Sequence, residues 1–349
     1  MDKFRVGLSA DFLDEQRKLI FPDIGLSLLE QDPHIEHRFL DEYHPEYLPS
    51  QFDGFDVMIS LRPRVSRKSL AGNPRLTAIG RCGVGCDNVD LPACTENDVA
   101  VYITREAVAR PMAECEVLLI LALSHNLIIK DRAVREGRWY DGCSALGREP
   151  RDRVIGTVGL GNIAREMVRL IRVFTPSRIL AHDPLGDPVV AASLGVELVS
   201  MEELLRLSDY VVINCPLMQE THHLIGAREL AMMKPDSFLI NAARGPIVDE
   251  AALIHALETR QIRGAGLDVF ESEPLDASSP LTRMDNVILA SHCLGWTDEL
   301  FRDMGRMDCE GALAVSRGEA PRNVMNSEVL QRPGFLQKLE NYKRRRSVE

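Results

Sequence analysis

Short apolar runs alternate with amphipathic segments along most of the chain. Phe4–Leu8 predicts a strand and Leu19–Leu29 a helix. Val57–Ser60, Leu76–Ile79 and Val99–Ile103 predict further strands. Strands alternating with helices imply a parallel sheet covered on both faces. From about Ala107 to Leu127 runs a long helix containing AECEVLLILALSHN, apolar almost all the way round. Such a helix must be buried, in a core or at a subunit contact. Residues 138–153, rich in Gly, Arg and Asp, read as a connector. The alternation then restarts, with strands at Val154–Val158, Arg178–Ala181, Tyr210–Asn214, Phe238–Asn241, Gly264–Val269 and Val287–Ala290. That succession suits a doubly wound nucleotide-binding sheet. A helix over Asp298–Val315 follows. The tail from Leu330, with its basic cluster Lys343–Arg346, reads as a solvated terminus.

Composition narrows the class. At 349 residues the chain has room for about two domains. Lys plus Arg is 41 against 52 Asp plus Glu, a formal charge of −11, which argues against a general nucleic-acid binder. The longest apolar stretch, Val117 to Leu123, is far short of the ~20 residues a membrane span needs. The start of the chain has no apolar run of signal-peptide length. A soluble cytoplasmic protein is expected, with neither membrane nor nucleic acid as partner. Cys82, Cys86 and Cys94 lie close in sequence, but no CxxC pair or nearby His completes a zinc set, so no metal is expected. The eight cysteines read as small buried hydrophobes in a reducing compartment.

The first chemical signal is Val154-Ile-Gly-Thr-Val-Gly159-Leu-Gly161-Asn162-Ile163-Ala164. A strand delivers the chain to Gly159, where a tight turn needs no Cβ. Gly161 lets the backbone approach a pyrophosphate, and Ala164 is small enough for helix to pack on strand. The helix that follows aims free N–H groups and its positive end at the phosphates. A second strand ends in Asp183, 183 − 161 = 22 residues after Gly161. An acid about 20 residues on accepts from the ribose hydroxyls and repels a 2′-phosphate, so the expected cofactor is NAD rather than NADP.

The second signal is a set of polar residues just beyond later strands, at the edge where open α/β sheets bind ligands. Arg244 follows Phe238–Asn241, and a guanidinium fork there suits a planar carboxylate. Gly245 allows a sharp exit turn. Glu273 and His292 lie beyond the next two strands. A histidine at such an edge can donate a proton, and a neighbouring carboxylate orients it and favours the protonated ring. Reducing a ketone needs a hydride donor, a proton for the oxygen, and a cation to anchor the acid. A reduced nicotinamide, His292 and Arg244 would supply them.

Several blocks together carry a family likeness: RCGVGCDNVD at 81–90, CPLMQETHHLIG at 215–226, MKPDSFLIN at 233–241, NAARGPIVDEAAL at 241–253, DVFESEPL at 268–275, and the downstream His292. From about Ile79 to Thr297 the chain resembles the D-isomer-specific 2-hydroxyacid dehydrogenases. The resemblance implies two doubly wound α/β domains, an NAD-binding Rossmann domain and a flavodoxin-like substrate domain, with a cleft between them. Residues 1–104 and 298–330 would form the substrate domain and 105–297 the NAD domain, leaving 331–349 as a tail. It also implies a homodimer whose interface buries the helix near Glu114–Leu123.

Residue by residue, the resemblance assigns catalysis to Arg244, Glu273 and His292. Dinucleotide contacts fall on Gly159, Gly161, Asn162, Ile163, Asp183, Cys215, Pro216, Ala242, Ala243, Arg244, Asp268, His292 and Gly295. Substrate contacts fall on Val84, Gly85, Arg62, Arg244, His292 and Trp296. Val84 and Gly85 would offer backbone N–H groups to a carboxylate. The implied reaction moves hydride between nicotinamide and C2 of a D-2-hydroxy or 2-oxo acid. One departure is Cys293-Leu294-Gly295-Trp296 after His292, where the family usually has small residues. Trp296 would intrude on the pocket, line it with an apolar wall, or pack against the neighbouring domain. Two alternatives share the fold: an NADH-sensing corepressor-like scaffold, and a dehydrogenase for phosphorylated or sulfonated acids with Arg62 and Arg64 as extra anion ligands.

Overall fold

Two parallel sheets organise the chain, each with central strands buried on both faces. A computed structural model describes residues 3–347. Met1 and Asp2, at the start read for a signal peptide, and Val348 and Glu349, at the end of the tail, lie outside the described residues. The chain divides into a first unit, Met1–Val108 with Trp296–Glu349, and a second, Ala109–Gly295.

In the first unit five strands, β1 (Phe4–Leu8), β2 (Ile35–Phe39), β3 (Val57–Ser60), β4 (Ala78–Arg81) and β5 (Ala100–Ile103), form one parallel sheet in the order β2-β1-β3-β4-β5. β3 and β5 (VMIS and AVYI) are buried at every position, as a covered parallel sheet requires. The helix Asp298–Ser316 packs on β4. Thr297 caps it by accepting from the Leu300 N–H at 3.1 Å. It buries Leu300, Phe301, Met304, Asp308, Ala312 and Val315, a stripe at three- and four-residue spacing.

Three expectations are corrected here. Leu19–Leu29 is not a helix, since only Ser27–Glu30 is helical within it. Asp14 and Asp23 accept backbone N–H groups two residues on, and Pro22 interrupts the segment, so turn chemistry prevails. β2 was not foreseen, because IEHRF buries mainly its first residue at the sheet edge. The tail is not a solvated terminus. Pro333–Ser347 is a helix that buries Phe335, Leu339 and Tyr342. The Tyr342 hydroxyl donates to Asp56 Oδ1 at 2.8 Å, and Lys338 Nζ to the Leu76 carbonyl at 2.6 Å.

In the second unit seven strands, β6 (Val154–Val158), β7 (Arg178–His182), β8 (Glu197–Leu198), β9 (Tyr210–Ile213), β10 (Phe238–Asn241), β11 (Gly264–Leu267) and β12 (Val287–Leu289), pair in parallel. Their order is β12-β11-β10-β9-β6-β7-β8. The order reverses between β6 and β9, so the carboxyl ends of those two strands flank the ligand crevice of this fold. The six foreseen strands are present, and the two-residue β8 joins them at the edge. The helix Arg105–Ser124 places Ala113, Val117, Leu119, Ile120 and Leu123 in the unit's own core beside β6, β9 and β10. The expected connector holds a short helix, Trp139–Ser144. Among the described residues no single helix is long and apolar enough to cross a membrane.

One interior group stands out in the first unit. Asp308 is fully buried, and neither carboxyl oxygen has a hydrogen-bond partner among the described residues. Burial pushes its pKa from the ordinary 3.8 up to about 8, against the opposing pull of the Cys82 thiol and the Arg81 charge. A carboxyl raised in the folded state stabilises fully below its unfolded value, and that stability drains away as pH rises toward the folded value. The urea midpoint of the protein is therefore expected to fall between about pH 4 and pH 8, and Asp308→Asn to remove on the order of 1–3 kcal/mol of that fall. An equal fall in the variant, followed by tryptophan fluorescence, would show that Asp308 does not carry it.

Candidate active site

Each site loop of the second unit leaves the carboxyl end of a strand, and each is held by backbone hydrogen bonds. After β10, Asn241 builds the turn. Its Oδ1 accepts from the Ala243 N–H at 3.1 Å and its Nδ2 donates to the Arg244 carbonyl at 2.9 Å. Arg244 Nη1 donates to the Ala243 carbonyl at 2.7 Å. Gly245 then passes against the next loop: a Cβ there would stand 1.9 Å from the Phe270 carbonyl carbon and oxygen. This fit sets the arginine turn against the turn that carries Glu273.

Glu273 Oε1 accepts from the Phe270 N–H at 3.1 Å. Its Oε2 accepts from His292 Nδ1 at 2.7 Å. Burial pushes the Glu273 carboxyl up, but the His292 bond and charge, the Phe270 N–H and the Arg244 charge together hold it below the usual carboxylate range. The histidine's other nitrogen, Nε2, is left to act, and the imidazole is half-exposed. His292 has φ +57°, and its N–H donates to the Asp268 carbonyl at 2.7 Å. Asp268, 2% exposed, accepts from the Cys293 and Leu294 N–H groups, each at 3.2 Å through Oδ1. Its role in this geometry is to shape the histidine loop. Burial raises its carboxyl, against the pull of those two N–H groups and His292. Gly295 closes the loop where a Cβ would meet Met112 Sδ at 2.6 Å.

The phosphate-loop residues also come together. Gly159 has φ +99°, and a Cβ there would stand 2.7 Å from the Asn214 carbonyl oxygen. Nothing lies within 4 Å of a Cβ built on Gly161, which precedes the helix Asn162–Ile171 without a side-chain cap. An open, uncapped helix N-terminus fits a pyrophosphate. Asp183 lies just beyond β7, with Oδ2 accepting from the Leu160 N–H at 2.8 Å and Oδ1 from the Leu185 N–H at 2.9 Å. The residues present therefore fit a dinucleotide: Gly159, Gly161, Asn162 and Ile163 would form the cradle and Asp183 the acid beside it. Cys215 and Pro216 follow β9, across the reversal from Gly159, and Ala242 and Ala243 follow β10.

In the first unit, Gly83 leads into Val84 and Gly85 with φ +131°. Its N–H donates to Thr104 Oγ1 at 2.8 Å, fixing the loop after β4. The strand order of this sheet reverses between β1 and β3. There Asp11 Oδ2 accepts the Arg62 N–H at 3.0 Å and lies 3.8 Å from its guanidinium. The guanidinium carbon is 5.3 Å from the centre of the Trp296 ring. Trp296 packs edge-on against Phe21 and Phe301, at 5.7 and 5.2 Å. Sequence reasoning named neither Asn241, Asp11 nor Thr104. Asn241 was legible as a polar residue ending an otherwise apolar strand, while Asp11 and Thr104 act across long sequence separations and left no local signal. Among the described residues no group of His, Cys, Asp and Glu could hold a metal ion.

Comparison with known proteins agrees with this geometry. Residues 117–293 match the family described as D-isomer specific 2-hydroxyacid dehydrogenase, NAD binding domain. A glyoxylate reductase of Korarchaeum cryptofilum is 35% identical over 326 residues, covering 90% of this chain and 96% of that protein. A D-3-phosphoglycerate dehydrogenase of Methanocaldococcus jannaschii is 36% identical over 282 residues, covering 80% of this chain and 53% of its own length. Among solved structures, the holo form of Rhodotorula graminis D-mandelate dehydrogenase has a TM-score of 0.80 at 28% identity, with 93% of this chain and 98% of that one covered. A glyoxylate reductase from Paecilomyes thermophila scores 0.79 at 26% identity, with 93% and 99% covered. The chain belongs to the D-isomer specific 2-hydroxyacid dehydrogenase family, as an oxidoreductase whose cofactor is NAD.

Proposed function

We propose that this chain is an NADH-dependent reductase of small 2-oxo acids, working in reverse as a D-2-hydroxyacid dehydrogenase. The observation that carries the reading is the 2.7 Å bond from His292 Nδ1 to Glu273, at the strand edge that also bears Arg244. NAD, when bound, supplies or takes up the hydride at C2 of the acid. Arg244 anchors the substrate carboxylate and the carbonyl oxygen through its fork. His292 gives its Nε2 proton to that oxygen in reduction and takes it back in oxidation. Glu273 stays ionised, fixes the ring through Nδ1 and offsets its positive charge. Val84 and Gly85 are proposed as backbone donors to a substrate carboxylate.

Glyoxylate heads the candidate substrates, since the archaeal relative carries that name. A phosphorylated or sulfonated substrate is the weaker reading, because the Arg62 charge already faces Asp11 and lies over Trp296. A homodimer is also proposed. Most of the helix near Glu114–Leu123 lies in its own unit's core, but Leu118, Leu127, Trp139, Tyr140 and Leu146 are all exposed large hydrophobics in the segment 118–146. Exposed apolar surface of this kind marks association sites.

The purified protein is expected to oxidise NADH with glyoxylate or another short 2-oxo acid, followed by absorbance across a panel of acids. Silence across the whole panel with NADH binding intact would turn the reading toward a sensing scaffold. His292→Gln is expected to lower turnover by at least ~10²-fold, as loss of a general acid does, with NADH affinity unchanged by calorimetry. Near-normal turnover would remove His292 from the mechanism. Arg62→Ala is expected to change KM equally for monoanionic and dianionic acids; a loss confined to dianions would favour the phosphorylated or sulfonated substrate. Light scattering on a sizing column is expected to give twice the 39.0 kDa chain mass, and a monomer would refute the dimer.

A further inference from the structure

The turn after β11 carries two histidine–glutamate pairs, and the proposed reaction uses only one of them. Glu273 holds His292. Two residues earlier, Glu271 Oε1 accepts from His223 Nε2. His223 belongs to the loop after β9, in the block CPLMQETHHLIG, whose histidines the proposed reaction leaves without a part.

His223 grips a further loop through its backbone. Its N–H donates to the Pro246 carbonyl at 2.8 Å. Pro246 lies in the turn after β10, two residues beyond Arg244. Neighbouring bonds seat the same two loops: the Ile225 N–H donates to the Ile247 carbonyl at 3.1 Å, and the Asp249 N–H to the Ile225 carbonyl at 3.0 Å. Glu271 is itself anchored to Glu250, the first residue of the helix Glu250–Glu258. The Glu271 N–H donates to Glu250 Oε2 at 3.1 Å, and the Glu250 N–H to Glu271 Oε1 at 3.3 Å. With Gly245 lying against Phe270, these contacts close a triangle. The arginine turn meets the glutamate turn at Gly245 and Phe270. His223 joins the first of them at Pro246 and the second at Glu271.

Local preference does not explain the arrangement. His223 has φ +52°, a left-handed conformation uncommon outside glycine. Packing does not impose it, since the imidazole and the Glu271 carboxyl are 40% and 34% exposed. An exposed ion pair contributes little to stability. Hydrogen bonds at both ends of the residue hold the strained backbone, and such strain collects where position matters to function.

We propose that His223 is a positioning residue for the reaction: bonded to Pro246 by its backbone and to Glu271 by its ring, it sets the separation of Arg244 from the Glu273–His292 pair. The inference rests on the reading that those three residues act on a 2-oxo acid. It goes beyond that reading in giving a part to a residue outside them, on another loop. Reactions between held groups are sensitive to position, and a displacement of about 1 Å can cost about 10²-fold in rate. Opening the triangle lets the guanidinium that anchors the acid drift from the histidine that protonates it. The cradle at Gly159, which these bonds do not touch, keeps its hold on NADH.

The test is steady-state kinetics of the full-length protein with the 2-oxo acid that wild type reduces fastest, beside NADH affinity read by nicotinamide fluorescence. His223→Asn keeps a residue that tolerates the left-handed backbone but shortens the side chain. It is expected to lower kcat/KM by on the order of 10- to 10²-fold, with NADH affinity unchanged. Glu271→Ala removes the other end of the bond and is expected to lose at least as much. The double variant should lose no more than Glu271→Ala alone, because both changes break one contact. His223→Gln, whose amide nitrogen can stand where Nε2 does, should recover most of the loss. Wild-type kcat/KM in His223→Asn would overturn the proposal, as would losses that multiply in the double variant or a His223→Gln as poor as His223→Asn. A fall in NADH affinity in step with turnover would overturn it too, because it would mark a general loosening of the fold. Arg244→Gln separates the two readings. Wild-type kcat/KM in that variant, or a wild type silent with every acid, would bring down the reacting set itself, and the proposal with it. A collapse in Arg244→Gln beside an unimpaired His223→Asn would overturn the proposal alone.

Discussion

No side chain fits between residue 245 and the Phe270 backbone, and much of the site depends on that contact. It forces the turn after β10 to lie against the turn after β11. Arg244 precedes Gly245, and the Phe270 N–H holds Glu273. Glu273 in turn holds His292, which the third loop delivers from beyond β12. Parallel strands already bring their carboxyl ends to one edge. The sheet alone fixes the loops only roughly, whereas a glycine against a backbone fixes them to a fraction of an ångström. A methyl group at 245 would push apart the loops that carry Arg244 and Glu273.

The same economy appears at both points of strand reversal, each within its own unit. Between β6 and β9, Gly159 presses on the Asn214 carbonyl, and side-chain bonds through Thr157 close the same gap. Between β1 and β3, Ser9 Oγ and Asp11 Oδ2 accept the N–H groups of Leu61 and Arg62 at 3.1 and 3.0 Å. Where neighbouring strands run off to opposite sides, their emerging backbones lack ladder partners. Polar side chains from one loop satisfy the backbone of the other, and this pre-organises the surface that a ligand meets.

Much of this was legible in the sequence, because its signals are local. A strand, a glycine turn and a helix follow one another in a few residues around Gly159, and Asp183 falls at the spacing of the next strand. Arg244, Glu273 and His292 each stand one loop beyond an apolar run. The failures have equally physical origins. Leu19–Leu29 is apolar enough for a helix, yet its Asp and Pro residues favour turns over helical hydrogen bonds. The tail seemed a solvated basic cluster because Arg344–Arg346 dominate its end, although Phe335, Leu339 and Tyr342 repeat at helical spacing just before them. The contact of Asp11 with Arg62 joins residues 51 positions apart, and no window along the chain contains it.

Buried acids also change the electrostatics that composition suggests. The formal charge of −11 counts every Asp and Glu as ionised. Burial pushes the carboxyls of Glu116 and Asp308 up to about 8, so near neutral pH the folded chain is less negative than that count. The change is small in total but large in place. Glu116 lies on the helix Arg105–Ser124, and Asp308 lies beside Cys82, one residue from the Gly83 turn. Glu273, the acid that is kept ionised at the reacting edge, is bonded to His292 and feels the Arg244 charge. Positive character at this strand edge comes from Arg244 and the open helix end at Gly161. An acidic protein can in this way present a local field that attracts a carboxylate and a pyrophosphate.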